Sequence, residues 1–153
     1  MSQPTNAALI ALLVVTLWGG ASFAADPSPG GMQLLPGYVH TRLQGFDSVP
    51  GRIEKKGGLT IQYDIGAIPK LGAPSFGGQF TDHPKSVAAK ERQWYKEHQV
   101  GGQEVHLAYT KKNALLVSFP ESGINFSVEV KNTEEMTDAL LMILSYRGVA
   151  KKR

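Results

Sequence analysis

Four histidines, at positions 40, 83, 98 and 106, are the side chains best suited to hold a metal or move a proton near neutral pH. If Gly101-Gly102 forms a two-residue hairpin turn, His98 lies opposite Val105 and His106 lies opposite Glu97. Side chains alternate across a sheet, so His98 and His106 then point to opposite faces and cannot share a metal. His106 joins Glu97 and Glu104 on one face. That group is either a ligand set or a solvated cross-strand pairing of the ordinary kind, worth ~0.2–1 kcal/mol. Its spacing matches no familiar zinc pattern, so no metal ligand and no cofactor is assigned.

Nucleophilic catalysis needs a serine or cysteine beside a base and an orienting acid. Cysteine is absent. Ser48 follows Asp47 in the tract GFDSVPG, outside any G-x-S-x-G elbow, and this pair reads first as a turn cap. His40, Asp47, Ser48 and Asp64 are nonetheless the set that a small hydrolase-like or metal-dependent enzyme would use. Glu134 and Glu135 fit the positive end of a helix. No glycine-rich phosphate loop stands between a strand and a helix. No catalytic residue is therefore assigned, and the enzyme reading is the alternative rather than the expectation.

The segment 66–86, GAIPKLGAPSFGGQFTDHPKS, carries glycines and prolines without sustained periodicity. Connections this long inside a compact domain are commonly functional. Phe76 and Phe80 within it, with Trp94 and Tyr95 just beyond, are the candidate binding residues for a protein or small ligand. The competing reading buries the two phenylalanines over an open sheet face. The formal charge of +3 is mild, and the pairs Lys55-Lys56 and Lys111-Lys112 lie apart. No basic stripe interleaved with aromatics is present, which argues against nucleic acid as a partner.

The elements that must position these groups are mostly strands. Leu59, Ile61, Tyr63 and Ile65 alternate with polar residues, the pattern of a half-buried strand. A three-residue loop Lys56-Gly57-Gly58 sets Ile53 opposite Ile61, so that both face the core; a two-residue Gly57-Gly58 loop would mix the faces. A meander follows over 94–130, with turns at Gly101-Gly102, Lys111-Lys112-Asn113 and 120–123. A helix is expected from Asn132 to Arg147. Asn132 caps it, Glu135 sits three residues on, Met136, Ala139, Leu140, Ile143 and Leu144 mark its apolar face, and Gly148 marks its end. The expected fold is α+β: an antiparallel sheet of about six strands with the C-terminal helix packed on one face.

Residues 7–18 form an apolar run broken only by Thr16, and Ser22 and Ala24 fit a signal-peptidase site. The run is shorter than the ~20 residues that span a bilayer. The expected organisation is a signal peptide at 1–24, a flexible lead at 25–36, one domain at 37–148 and a basic tail at 149–153. Export to the periplasm or the extracellular space follows, with membrane contact only through an uncleaved signal. Without cysteines the exported domain has neither disulfides nor a lipid-attachment thiol, so burial alone must hold it.

The run GFDSVPGRIEKKGGLTIQYDIG resembles a pattern of exported bacterial proteins of uncharacterised activity, in which G-x-D-S precedes a hairpin ending in aromatic-Asp-x-Gly. The order of sheet and terminal helix also resembles Mog1/PsbP-like domains. These resemblances imply export and a fold type, and no activity. The expected function is a non-enzymatic binding or accessory module using 66–86.

Overall fold

The computed structural model describes residues 28–45, 48–66 and 84–148. Seven antiparallel strands form one sheet: β1 (Val39–Arg42), β2 (Ser48–Glu54), β3 (Thr60–Gly66), β4 (Arg92–Val100), β5 (Gln103–Thr110), β6 (Ala114–Phe119) and β7 (Ile124–Glu129). Their spatial order is β1-β2-β3-β7-β6-β5-β4, so two runs of hairpin-linked strands are joined by the pairing of β3 with β7. The helix α1 spans Thr133–Ile143. The α+β class with an antiparallel sheet and one C-terminal helix is as expected, but the strand count is seven rather than about six. The additional strand is β1. Its four residues, VHTR, are too few to show a period by themselves, and pairing with β2 makes them a strand.

Turn chemistry sets the register. Ile53 stands opposite Ile61 across the three-residue loop 56–58, and His98 stands opposite Val105 across Gly101-Gly102. From these pairings one sheet face becomes apolar along whole rows. Ile53, Ile61, Val128 and Leu115 form one row, and Tyr63, Phe126, Val117 and Leu107 form the next. All eight are buried. Against this helix face pack Ala139, Met142, Ile143 and the following Tyr146. Asn132 caps the helix by accepting from the Glu135 amide at 2.9 Å, while the Glu135 carboxylate accepts from the Lys131 amide at 2.7 Å. The helix closes at Leu144, short of Gly148, and the chain then turns so that Tyr146 enters the core. Leu141, on the far side of α1, remains 59% exposed.

The stretch before Tyr38, read as a lead from its prolines and glycines, has partners from Ser28 onward. Pro29 and Met32 are buried. The Arg147 amide donates to the Gly30 carbonyl at 3.0 Å, the Gln33 amide donates to Ser145 Oγ at 2.8 Å, and the Tyr38 hydroxyl donates to Asp138 Oδ2 at 3.0 Å. This segment therefore lies along α1 and closes one edge of the core.

Two glycines are required by the side chains laid over them. A Cβ on Gly51 would stand 2.2 Å from the Tyr63 ring, which crosses β2 at that point. A Cβ on Gly30 would stand 2.1 Å from Tyr146 Cε2, and the Gly30 φ of +54° is itself costly for any other residue. Neither ring can retreat, because each is buried among other core side chains. Gly51→Ala and Gly30→Ala should each lower the unfolding free energy by about 1–3 kcal/mol, as overpacked cores do. Urea denaturation measures this, and unchanged midpoints would refute the account of both contacts.

Candidate functional site

Strand alternation decides which candidate groups meet. His40 lies opposite Ile53, on the helix face, and its Nε2 is 2.7 Å from the Tyr63 hydroxyl, with the two rings 5.7 Å apart. Asp64 follows Tyr63 on β3 and so points to the other, outer face, as does Ser48. Asp47 lies outside the described residues. The sheet therefore separates His40 from Asp64 and Ser48. Asp64 is only 3% exposed, and its Oδ1 makes no hydrogen bond among the described residues. Part of the reason is local: its partner on β2 is Pro50, which has no side-chain donor to offer.

The candidate binding residues divide similarly. Phe76 and Phe80 lie outside the described residues. Trp94 pairs with Tyr109 on the helix face, ring centroids 5.8 Å apart, and is half-buried. Tyr95 is on the outer face, opposite Ala108. The two adjacent aromatics thus serve different sides of the sheet.

Asp64, Asn125, Ser118, His106 and Glu97 form one polar row across the outer face. Its far end carries the cluster foreseen from the hairpin. His106 Nε2 is 2.5 Å from Glu104 Oε1, and Glu97, Glu104 and His106 each offer a ligand atom within 4.8 Å of the others. These three are the residues that could hold a cation. The protein already supplies one: Lys85 Nζ is 3.2 Å from Glu97 Oε1, and the Tyr95 hydroxyl donates to the same oxygen at 2.6 Å. Those two donors hold the Glu97 carboxyl below its usual range, the tyrosine contributing most. Glu97 thus has partners of its own, and the Lys85 pair ties the segment before β4 back to that strand.

That fastening builds a concavity. Two 3₁₀ turns, Pro84–Ser86 and Ala89–Glu91, lead into β4 across the outer face. The Arg92 guanidinium donates back to the carbonyls of Val87 at 2.5 Å and Lys85 at 2.7 Å, and stands 4.8 Å from the Tyr95 ring centroid. The Lys111 amide donates to the Glu91 carbonyl at 2.9 Å, which joins this segment to the β5–β6 turn. Between the two lies a pocket of about 300 Å³. Ala114 and Leu116 of β6 and Ser127 of β7 form its floor, with Val87 on one wall. Lys90 and Glu91 stand on that same wall, and Thr110, Lys111 and Lys112 on the opposite one.

Sequence reading placed Lys111-Lys112 in a solvated turn and did not select Leu116. One signal was available: Leu116 is an apolar residue on the face that β7 lines with Asn125, Ser127 and Glu129. Comparisons with protein family models, with curated proteins and with solved structures find no match.

Burial, then the bond to Glu97, pushes the Tyr95 phenol up to about 12; burial and the bond to Asp138 do the same for Tyr38. Unfolded tyrosines ionise near about pH 10. Between these values the unfolded chain has released protons that the folded chain keeps, so stability held below about pH 10 is lost as the pH rises towards 12. Alkaline denaturation should show this fall. Tyr95→Phe and Tyr38→Phe should each flatten it and remove one late-ionising group from the phenolate absorbance titration. A Tyr95 that titrates with the free tyrosines would show that its bond to Glu97 does not form.

Proposed function

We propose that this chain is an exported, non-enzymatic binding domain, and that its ligand is a small molecule seated between residues 87–91 and the outer face of the sheet. The observation that carries this reading is the pocket of about 300 Å³, of the size that small-ligand sites occupy. Ala114, Leu116 and Val87 suit the apolar body of a ligand, and the polar side chains around them suit a polar group on it. The pocket wall begins where the connection 66–86 rejoins the sheet at Pro84, and Arg92 and Lys111 hold that wall in place without a ligand. A preformed cavity loses less entropy when it is filled. Two features support the non-enzymatic part: His40 lies across the sheet from Asp64 and Ser48, and Lys85 and Tyr95 already satisfy Glu97.

Export rests on the apolar run at 7–18 with Ser22 and Ala24 behind it. Among the described residues no helix is long and apolar enough to cross a membrane. Expressed with its own leader in a bacterial host, the protein should accumulate outside the cytoplasm and begin at Ala25 on N-terminal sequencing. A chain that retains Met1 in the membrane fraction would refute cleavage.

The binding reading is tested with N-phenyl-1-naphthylamine, an uncharged apolar fluorophore small enough for the pocket. Its fluorescence should rise saturably with the protein. Ala114→Phe, which puts a ring on the half-exposed floor, should weaken that binding roughly tenfold, about 1.4 kcal/mol, while leaving the thermal melt unchanged. Saturable binding that Ala114→Phe does not affect would place the probe elsewhere, and the pocket reading would fail.

A further inference from the structure

The pocket has an apolar floor and a surround in which positive charge outweighs negative. Three lysines, Lys90, Lys111 and Lys112, line it against a single carboxylate, Glu91. Glu129, the register partner of Ala114 on the neighbouring strand, adds a second carboxylate just outside, and the surround remains cationic. The ion pairs among the described residues are Arg52 with Glu54 and Lys85 with Glu97, and none of the three lysines takes part in them. The contrast with Lys85 is informative. Lys85 sits on the same segment and is held by Glu97, whereas the bond from the Lys111 amide to the Glu91 carbonyl brings the backbone of residues 90–91 beside that of 111–112. Like charges gathered at the mouth of a cavity oppose one another, and an anion between them relieves that repulsion.

We infer that the pocket takes a small amphipathic organic anion: an aromatic or aliphatic body on Leu116 and Ala114, with a carboxylate or sulfonate among Lys90, Lys111 and Lys112. The inference rests on the binding reading above and adds the chemical class of the ligand. The parts of the site divide the work. The floor supplies apolar burial, which is indifferent to charge. The lysines supply the preference for an anion and a faster encounter, both weakened by salt. Ser127 on the floor and Thr110 on the wall add hydroxyls that can donate to a carboxylate or sulfonate oxygen.

The test uses a matched pair of probes on the folded chain: 8-anilinonaphthalene-1-sulfonate, and N-phenyl-1-naphthylamine, the same skeleton without the sulfonate. At low salt the sulfonate should bind roughly tenfold more tightly, since exposed charge contacts contribute a fewfold each. The Lys90→Gln/Lys111→Gln/Lys112→Gln variant should lose that preference and keep its affinity for the uncharged probe. These lysines are exposed, so the substitutions leave the core intact, and an unchanged thermal melt checks it. Ala114→Phe should weaken both probes. Equal binding of the two probes to the unaltered protein, at low and high salt alike, would overturn the anion inference and leave the pocket reading standing. Failure of both probes to bind, or sulfonate binding that Ala114→Phe does not weaken, would overturn both.

Discussion

Phe119, Phe126 and Tyr146 meet where the sheet, the segment after the helix and the N-terminal segment come together. The Tyr146 ring lies 4.9 Å from Phe119 and 5.9 Å from Phe126, and the two phenylalanines are 6.1 Å apart at a steep angle. Edge-on and tilted contacts of this kind contribute about 0.5–1.5 kcal/mol each beyond the area they bury. Their larger effect is geometric. Tyr146 can enter the core only because α1 ends at Leu144, and only because Gly30 has no side chain beneath the ring. The contact thereby fixes how the helix lies on the sheet and where the residues from Ser28 must run. A chain without disulfides depends on such interlocking, since its unfolded state is not restrained by any crosslink.

With the helix face given over to packing, the outer face is left to carry polar groups. Its middle is buried all the same: Ala108, Leu116, Ser118, His106 and Asp64 are each less than 5% exposed. On the β4–β5 side the turn Pro84–Ser86 packs against β5 and β6, and hydrogen bonds within residues 85–97 hold it there. Arg92 is central to this. One guanidinium fastens two backbone carbonyls and covers an aromatic ring, which turns an irregular segment into a fixed wall. The pocket is the space left, among the described residues, between that wall and the β5–β6 turn, over Ala114 and Leu116.

Local features were legible in the sequence because local chemistry decides them. The 56–58 loop had to place Ile53 against Ile61, since any other register would bury Glu54. The Gly101-Gly102 turn sets His106 opposite Glu97 through local geometry alone. Asn132 was readable as a cap, whereas the early end of α1 was not: apolar residues continue to Tyr146, and only packing shows that Tyr146 serves the core from outside the helix. β1 was illegible for a related reason, as four residues become a strand only when β2 offers them its edge.

Composition, turn residues and strand alternation by themselves determined an α+β domain, most of its hairpins, and the cluster of His106 with Glu97 and Glu104. They also determined that no disulfide contributes. Strand order was decided only by the tertiary structure, because the pairing of β3 with β7 joins residues about 60 positions apart and nothing local encodes it. Strand alternation through β1, β2 and β3 leaves His40 and Asp64 on opposite faces of the completed sheet. The β6–β7 hairpin brings Ser127 beside Leu116, and the return of residues 84–92 walls the pocket. A site assembled from three separate stretches of chain (87–91, 110–116 and 127) is a property of the fold, because each stretch alone carries only lysines, a leucine or a serine of no evident purpose.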